Sequence, residues 1–155
     1  MNLYKMFLHE KTVDIMLRIL EAEENGEKAY PLAISKDVGS PYSYISKVLS
    51  EFEDNALLES EFRGRIRVVR FTEEGERIAE MLRSLKQELE KDFIARKKIA
   101  TLKEAIDVVD NKEEDQFKVL APVKVELETL SQQVKDNETL KMVEEMKREV
   151  DSRLG

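Results

Sequence analysis

From Lys11 to Ala22, the apolar residues Val13, Met16, Leu17 and Leu20 recur at three- and four-residue spacing, which predicts an amphipathic helix. Gly26, in the run EENGEK, ends it. Tyr30-Pro31 opens a short second helix with Leu32, Ala33 and Ile34 as apolar contacts, closed by Val38 and turned by Gly39. Ser40-Pro41 is a start signal, with Ser40 as N-cap and Pro41 at the first helical position. The third helix runs over 41–54 and buries Ile45, Val48, Leu49 and Phe52. That leaves Tyr42, Ser43, Ser46 and Lys47 near its exposed N-terminal end, with Tyr44 beside them.

Asn55 suits a left-handed helix exit. Residues 57–62 and 66–71 read as two strands joined at Arg63-Gly64-Arg65, with Ile66, Val68 and Phe71 inward. Thr72 caps a long helix expected over about 73–100, on which Ile78, Leu82, Leu85, Leu89 and either Asp92 or Phe93 follow a four-three spacing. Further helices are expected over about 101–110, 114–136 and 139–153. The run Leu120, Val123, Leu127, Leu130, Val134 keeps heptad spacing, and Leu140, Val143, Met146 or Lys147, Val150 and Leu154 nearly repeat it. A helical hairpin broken at Asp136-Asn137 accounts for both runs. Pro122 either starts or kinks the first of them. Residues 1–9, mixing Leu3, Tyr4, Met6, Phe7 and Leu8, read as a short helix or arm packing on a neighbour. The chain is therefore mainly α with one small β-hairpin. It divides into a domain over 1–75 and a helical extension over 76–155.

Composition narrows the chemistry. The chain has no cysteine and one histidine, His9, so thiolate and histidine-cluster metal sites are excluded within 155 residues. No apolar run reaches the roughly 18 residues of a membrane span, and the charged N-terminus does not read as a signal peptide. A cytoplasmic protein is the expectation. Neither a nucleophile–base constellation nor a phosphate-binding glycine loop occurs, so no enzymatic function and no cofactor is expected. The net charge is −7, with residues 1–100 carrying −2 and residues 101–155 carrying −5. Against that background Arg63, Arg65, Arg67 and Arg70 fall within eight residues free of acid. One basic tip on an acidic chain fits a local contact with a polyanion rather than broad coating of one.

The order helix, helix, helix, strand, arginine-tipped turn, strand, long helix resembles the winged helix–turn–helix regulators, especially the MarR-like and related archaeal groups. The resemblance is carried by LAISKDVG (32–39), SYISKVLSEFEDNALLES (43–60) and RVVRFTEEGERIAEML (67–82), and spans roughly residues 10–95. Where such proteins often have Lys-Gly before the apolar pair, this chain has Asn55-Ala56 before Leu57-Leu58. The resemblance implies a homodimeric regulator of transcription that binds double-stranded DNA. Its third helix would enter the major groove, with Ser40, Tyr42, Ser43, Tyr44, Ser46 and Lys47 toward bases or phosphates. Arg63, Arg65 and Arg67 of the hairpin would touch backbone or minor groove. Ile78, Leu82, Leu85, Leu89 and Phe93 would hold the dimer, and the helices after Thr101 would enlarge that interface or dock a protein partner. The alternative is a winged-helix adaptor in a DNA-maintenance assembly, working through its acidic tail.

Overall fold

The computed structural model describes residues 8–109 and 113–155; the arm expected over residues 1–9 lies, but for its last two residues, outside them. The described residues form α1 (Glu10–Glu24), α2 (Pro31–Val38), α3 (Tyr42–Asp54), β1 (Leu58–Arg63), β2 (Ile66–Phe71), α4 (Glu73–Leu89), α5 (Phe93–Asp107), α6 (Glu113–Gln133) and α7 (Asn137–Leu154). This is a winged-helix arrangement followed by helices. Two compact units divide at Leu89/Glu90, not at the 75/76 boundary expected from the sequence.

In the first unit, α1 buries Ile15, Met16, Ile19 and Leu20 against Ile34 of α2 and Ile45, Val48 and Leu49 of α3. Leu58, Val69 and Phe71 close this core from the hairpin side and Ala79 from α4. β1 and β2 pair antiparallel from Leu58↔Phe71 to Arg63↔Ile66, and Ala29 bridges Val69 as the stub of a third strand. Because side chains alternate along a strand, burying Val69 and Phe71 also turns Arg67 inward and sends Ile66 and Val68 to the other face. The expected inward set holds at Phe71 and fails at its other two positions: Ile66 is exposed and Val68 only partly covered.

Helix ends explain two further corrections. α3 begins one residue late, with Pro41 rather than Ser40 at the N-cap and no side chain capping it. At its other end, the Ala56 and Leu57 amides donate to the Glu53 and Phe52 carbonyls, a Schellman closure. In that closure Asn55 keeps φ −95° and its side chain donates to the Glu51 carbonyl (2.8 Å). The left-handed residue is Ala56, at φ 59°. The same closure after α1 uses Gly26, at φ 70°. A left-handed alanine carries roughly 1–2 kcal/mol of steric cost, partly offset because glycine loses more chain entropy on folding. Ala56→Gly is therefore expected to stabilise the first unit by about 0.5–1 kcal/mol. Thermal unfolding followed by circular dichroism checks it; an unchanged or lowered midpoint would sink the idea.

The helix expected over about 73–100 is two helices. α4 stops at Leu89, and Asp92 then caps α5 by accepting from the Ala95 amide (3.0 Å). Phe93 therefore starts a helix of the second unit instead of extending the α4 stripe. The second unit is a three-helix bundle with its own core. Ala95, Ile99 and Ile106 of α5 pack with Leu120, Val123, Leu127 and Leu130 of α6 and Val143, Met146 and Val150 of α7. The heptad-spaced stripe is thus buried within one chain as the expected hairpin, with α5 as its third member. Helix α6 runs through Pro122, which neither starts nor ends it. Among the described residues no helix is long and apolar enough to cross a membrane.

Candidate nucleic-acid interface

The first turn of α3 carries the features expected of an anion-facing helix start. Its leading amides lack both an intrahelical acceptor and a side-chain cap. Tyr42, Ser43 and Lys47 are exposed around that turn, and Ser46 is partly exposed. Ser43 and Lys47, four residues apart, share a face. Tyr44 does not join them, because its ring packs against the unit's core. Ser40 sits in the preceding turn, its carbonyl accepting from the Ser35 hydroxyl.

The hairpin turns through two residues, Gly64 and Arg65, with Gly64 at φ 65°. Glycine at the first central position supplies the positive φ that such a tight hairpin requires. Arg63 and Arg65 are exposed at this tip, and Arg63 has only a loose ion pair with Glu61 (3.7 Å). The other two arginines are engaged. Arg70 lies across from Glu59 (3.2 Å). Arg67, with 13% of its side chain exposed, holds Glu53 at 2.8 Å. Burial alone would raise the Glu53 pKa, but hydrogen bonds from Ser60 and Arg67 and the Arg67 charge outweigh it and hold the carboxyl below its usual range.

Two clefts beside the hairpin differ in charge. One, open and of about 570 Å³, is lined by Glu53, Glu59 and Glu61 with Arg70. The other, of about 500 Å³, is lined by Lys36, Arg65 and Arg67 around the apolar surfaces of Leu32, Tyr42 and Ile66. The second has the charge to suit a polyanion, and Tyr42 joins it to the start of α3. Sequence reading missed Leu32, Lys36 and Ile66. The first two were legible: Pro31 and Ile34 face inward, which leaves positions 32 and 36 together on the opposite face of α2.

The residues expected to hold a dimer are dispersed. Leu82 packs on the unit's own core. Leu89 ends α4 partly covered, and Phe93 belongs to the second unit. Ile78 and Leu85 remain exposed on α4, and Met81 between them forms with them a short apolar stripe that the sequence reading did not single out. Arg96, in the basic run of α5, is engaged by the Thr139 hydroxyl (2.9 Å).

No family model matches the chain. A protein of Archaeoglobus fulgidus, named only as uncharacterized, is 31% identical over 88 residues, which is 57% of this chain and 93% of that protein. The crystal structure of AF1382 from Archaeoglobus fulgidus superimposes with a TM-score of 0.56 at 30% identity, over 57% of this chain and 98% of that one. MepR, a transcription regulator of the Staphylococcus aureus multidrug efflux pump MepA, is more distant. Its TM-score is 0.43 at 16% identity, over 70% of this chain and 96% of that one. On the strength of 31% identity across 93% of that protein, the chain belongs to the family of that Archaeoglobus fulgidus protein.

Proposed function

We propose that the chain is a double-stranded DNA-binding protein, a transcription regulator of the MarR-like kind working as a homodimer. The observation that carries this reading is the cleft in which Tyr42, at the uncapped start of α3, lies with Lys36 and with Arg65 of the hairpin tip. Free amides and the positive end of the helix dipole favour phosphate. Hydroxyls and a lysine one turn in can fix the helix on the backbone or reach base edges. Two guanidinium groups on a narrow ribbon suit a neighbouring groove, best a narrow one of high negative potential. The exposed Ile78, Met81 and Leu85 of α4 are the apolar stripe available for a second copy. In the usual dimer geometry two α3 helices address grooves about 34 Å apart.

The test is fluorescence anisotropy of a labelled mixed-sequence duplex across a salt series, with the wild type and an Arg63→Ala, Arg65→Ala double variant. Affinity is expected to fall steeply with salt, and the variant's slope to be shallower by up to about 2 phosphate contacts. Absence of wild-type binding at low salt overturns the reading. A wild type that binds and a variant with the same slope would remove the hairpin from the interface. Where the wild type itself does not bind, the adaptor reading, in which the helical unit docks a protein, takes the regulator's place.

A further inference from the structure

Residues 61–66, the outer half of the hairpin, have no buried or partly buried side chain. A two-stranded ribbon is marginally stable by itself, so its direction depends on what holds its base. The apolar attachments are Leu58, Val69 and Phe71. The next residue outward on the inner face of β2 is Arg67, and it is the meeting point of three elements. Its Nη2 donates to Glu53 Oε2 (2.8 Å) near the end of α3. Its Nε donates to Ser60 Oγ on β1 (2.8 Å), and its Nη1 reaches Ser50 Oγ, one turn back on α3 (3.5 Å). Glu53 completes the cluster by accepting from the Ser60 amide (3.1 Å) and the Ser60 hydroxyl (2.9 Å).

We propose that Arg67, with Glu53 and Ser60, is a clamp that fixes the hairpin's angle to α3, making Arg67 a positioning residue for Arg63 and Arg65 rather than a DNA contact. The proposal rests on the DNA-binding reading for its consequence, but the clamp itself is a property of the free protein. Only a planar guanidinium offers donors in the fork that serves a carboxylate and two hydroxyls at once; an ammonium is a point charge on a flexible stem. Arg67→Lys therefore keeps the charge and loses the clamp. A phosphate contact would survive that change.

Two readings separate the possibilities, with Glu53→Gln carried alongside in case one variant does not fold. In the free protein, amide hydrogen exchange over residues 61–67 is expected to quicken about tenfold in either variant while α1–α3 stay protected. Unchanged exchange overturns the clamp whatever happens with DNA. In the anisotropy assay, Arg67→Lys is expected to weaken DNA binding about fivefold to tenfold and to flatten the salt slope as the Arg63→Ala, Arg65→Ala variant does. Added to that double variant, it is expected to have little further effect, because the arginines it positions are gone. Wild-type affinity in Arg67→Lys, or a loss that adds in full to the double variant, overturns the positioning role. If the wild type binds no duplex, the functional reading fails and the exchange measurement alone decides the clamp.

Discussion

Gly75→Ala is expected to destabilise the first unit by about 3 kcal/mol or more, at the upper end of what overpacking costs. A Cβ at this position would lie 1.9 Å from the Leu57 carbonyl oxygen, 2.8 Å from its carbon and 3.0 Å from the Phe71 ring. The first two neighbours are backbone and cannot swing aside. The Leu57 carbonyl is itself held, since it accepts from the Thr72 amide (3.1 Å), while Thr72 caps α4 by accepting from the Gly75 amide (3.2 Å). Relief would require α4 to move away from the α3–β1 connection, breaking the cap, the Thr72–Leu57 bond and the cover over Phe71 together. For a unit of this size, 3 kcal/mol corresponds to a fall of more than about 10 °C in the unfolding midpoint. Urea and thermal unfolding measure it. A loss under about 0.5 kcal/mol would show that α4 can slide freely on the hairpin base.

Gly75 also marks a limit of reading the sequence. In EEGERIAEML it presents only as a weak helix former, because the reason for it is a carbonyl eighteen positions earlier in the chain. Helices α1, α2 and α3 were legible because each buries a periodic stripe, and their ends carry Gly26, Pro31 and Gly39. The hairpin was legible from its turn, but its facing was not. IRVVRF offers apolar residues on both faces, and the face buried is that of Val69, whose amide donates to the Ala29 carbonyl, and Phe71. That facing places Ile66 and Arg67 together: the isoleucine lies in the cationic cleft, and the arginine taken as a DNA contact turns in to Glu53. The α4–α5 break was hidden for a different reason. The leucine spacing continues through Asp92, and the cap by which Asp92 starts α5 does not disturb the apolar period. The stripe over 120–154 was read correctly as helical, but spacing carries no information on whether its partner is the same chain or another. Here it is the same chain, which buries Leu120, Val123, Leu127, Leu130, Val143 and Val150 in one core.

Asp136→Ala should cost the second unit about 3 kcal/mol at neutral pH, from a lost cap plus a stranded amide. One carboxylate serves both ends of the bundle's connection. Its Oδ2 accepts from the Thr139 amide (2.9 Å) and hydroxyl (2.8 Å) to start α7. Its Oδ1 accepts from the Asp92 amide (2.8 Å), just before α5. The buried Thr139 in turn accepts from Arg96, so alanine would loosen the arginine as well. The effect is pH-dependent in a definite direction. Burial pushes the Asp136 pKa up, but the Thr139 and Asp92 amides, the Thr139 hydroxyl and the Arg96 charge together bring it below the ordinary aspartate value. A carboxyl whose pKa is lowered on folding gives its full stabilisation above the unfolded pKa, about 3.9, and loses it as pH falls from there through the folded value. The wild type and Asp136→Ala should therefore differ most near pH 7 and converge in acid. Native-state hydrogen exchange of the α5–α7 amides reads this unit separately from the first. A gap that stays constant from pH 7 to below pH 3 would mean that the residue acts through packing, with its charge irrelevant. A gap that closes would tie the joining of α5 and α7 to a single ionised carboxylate.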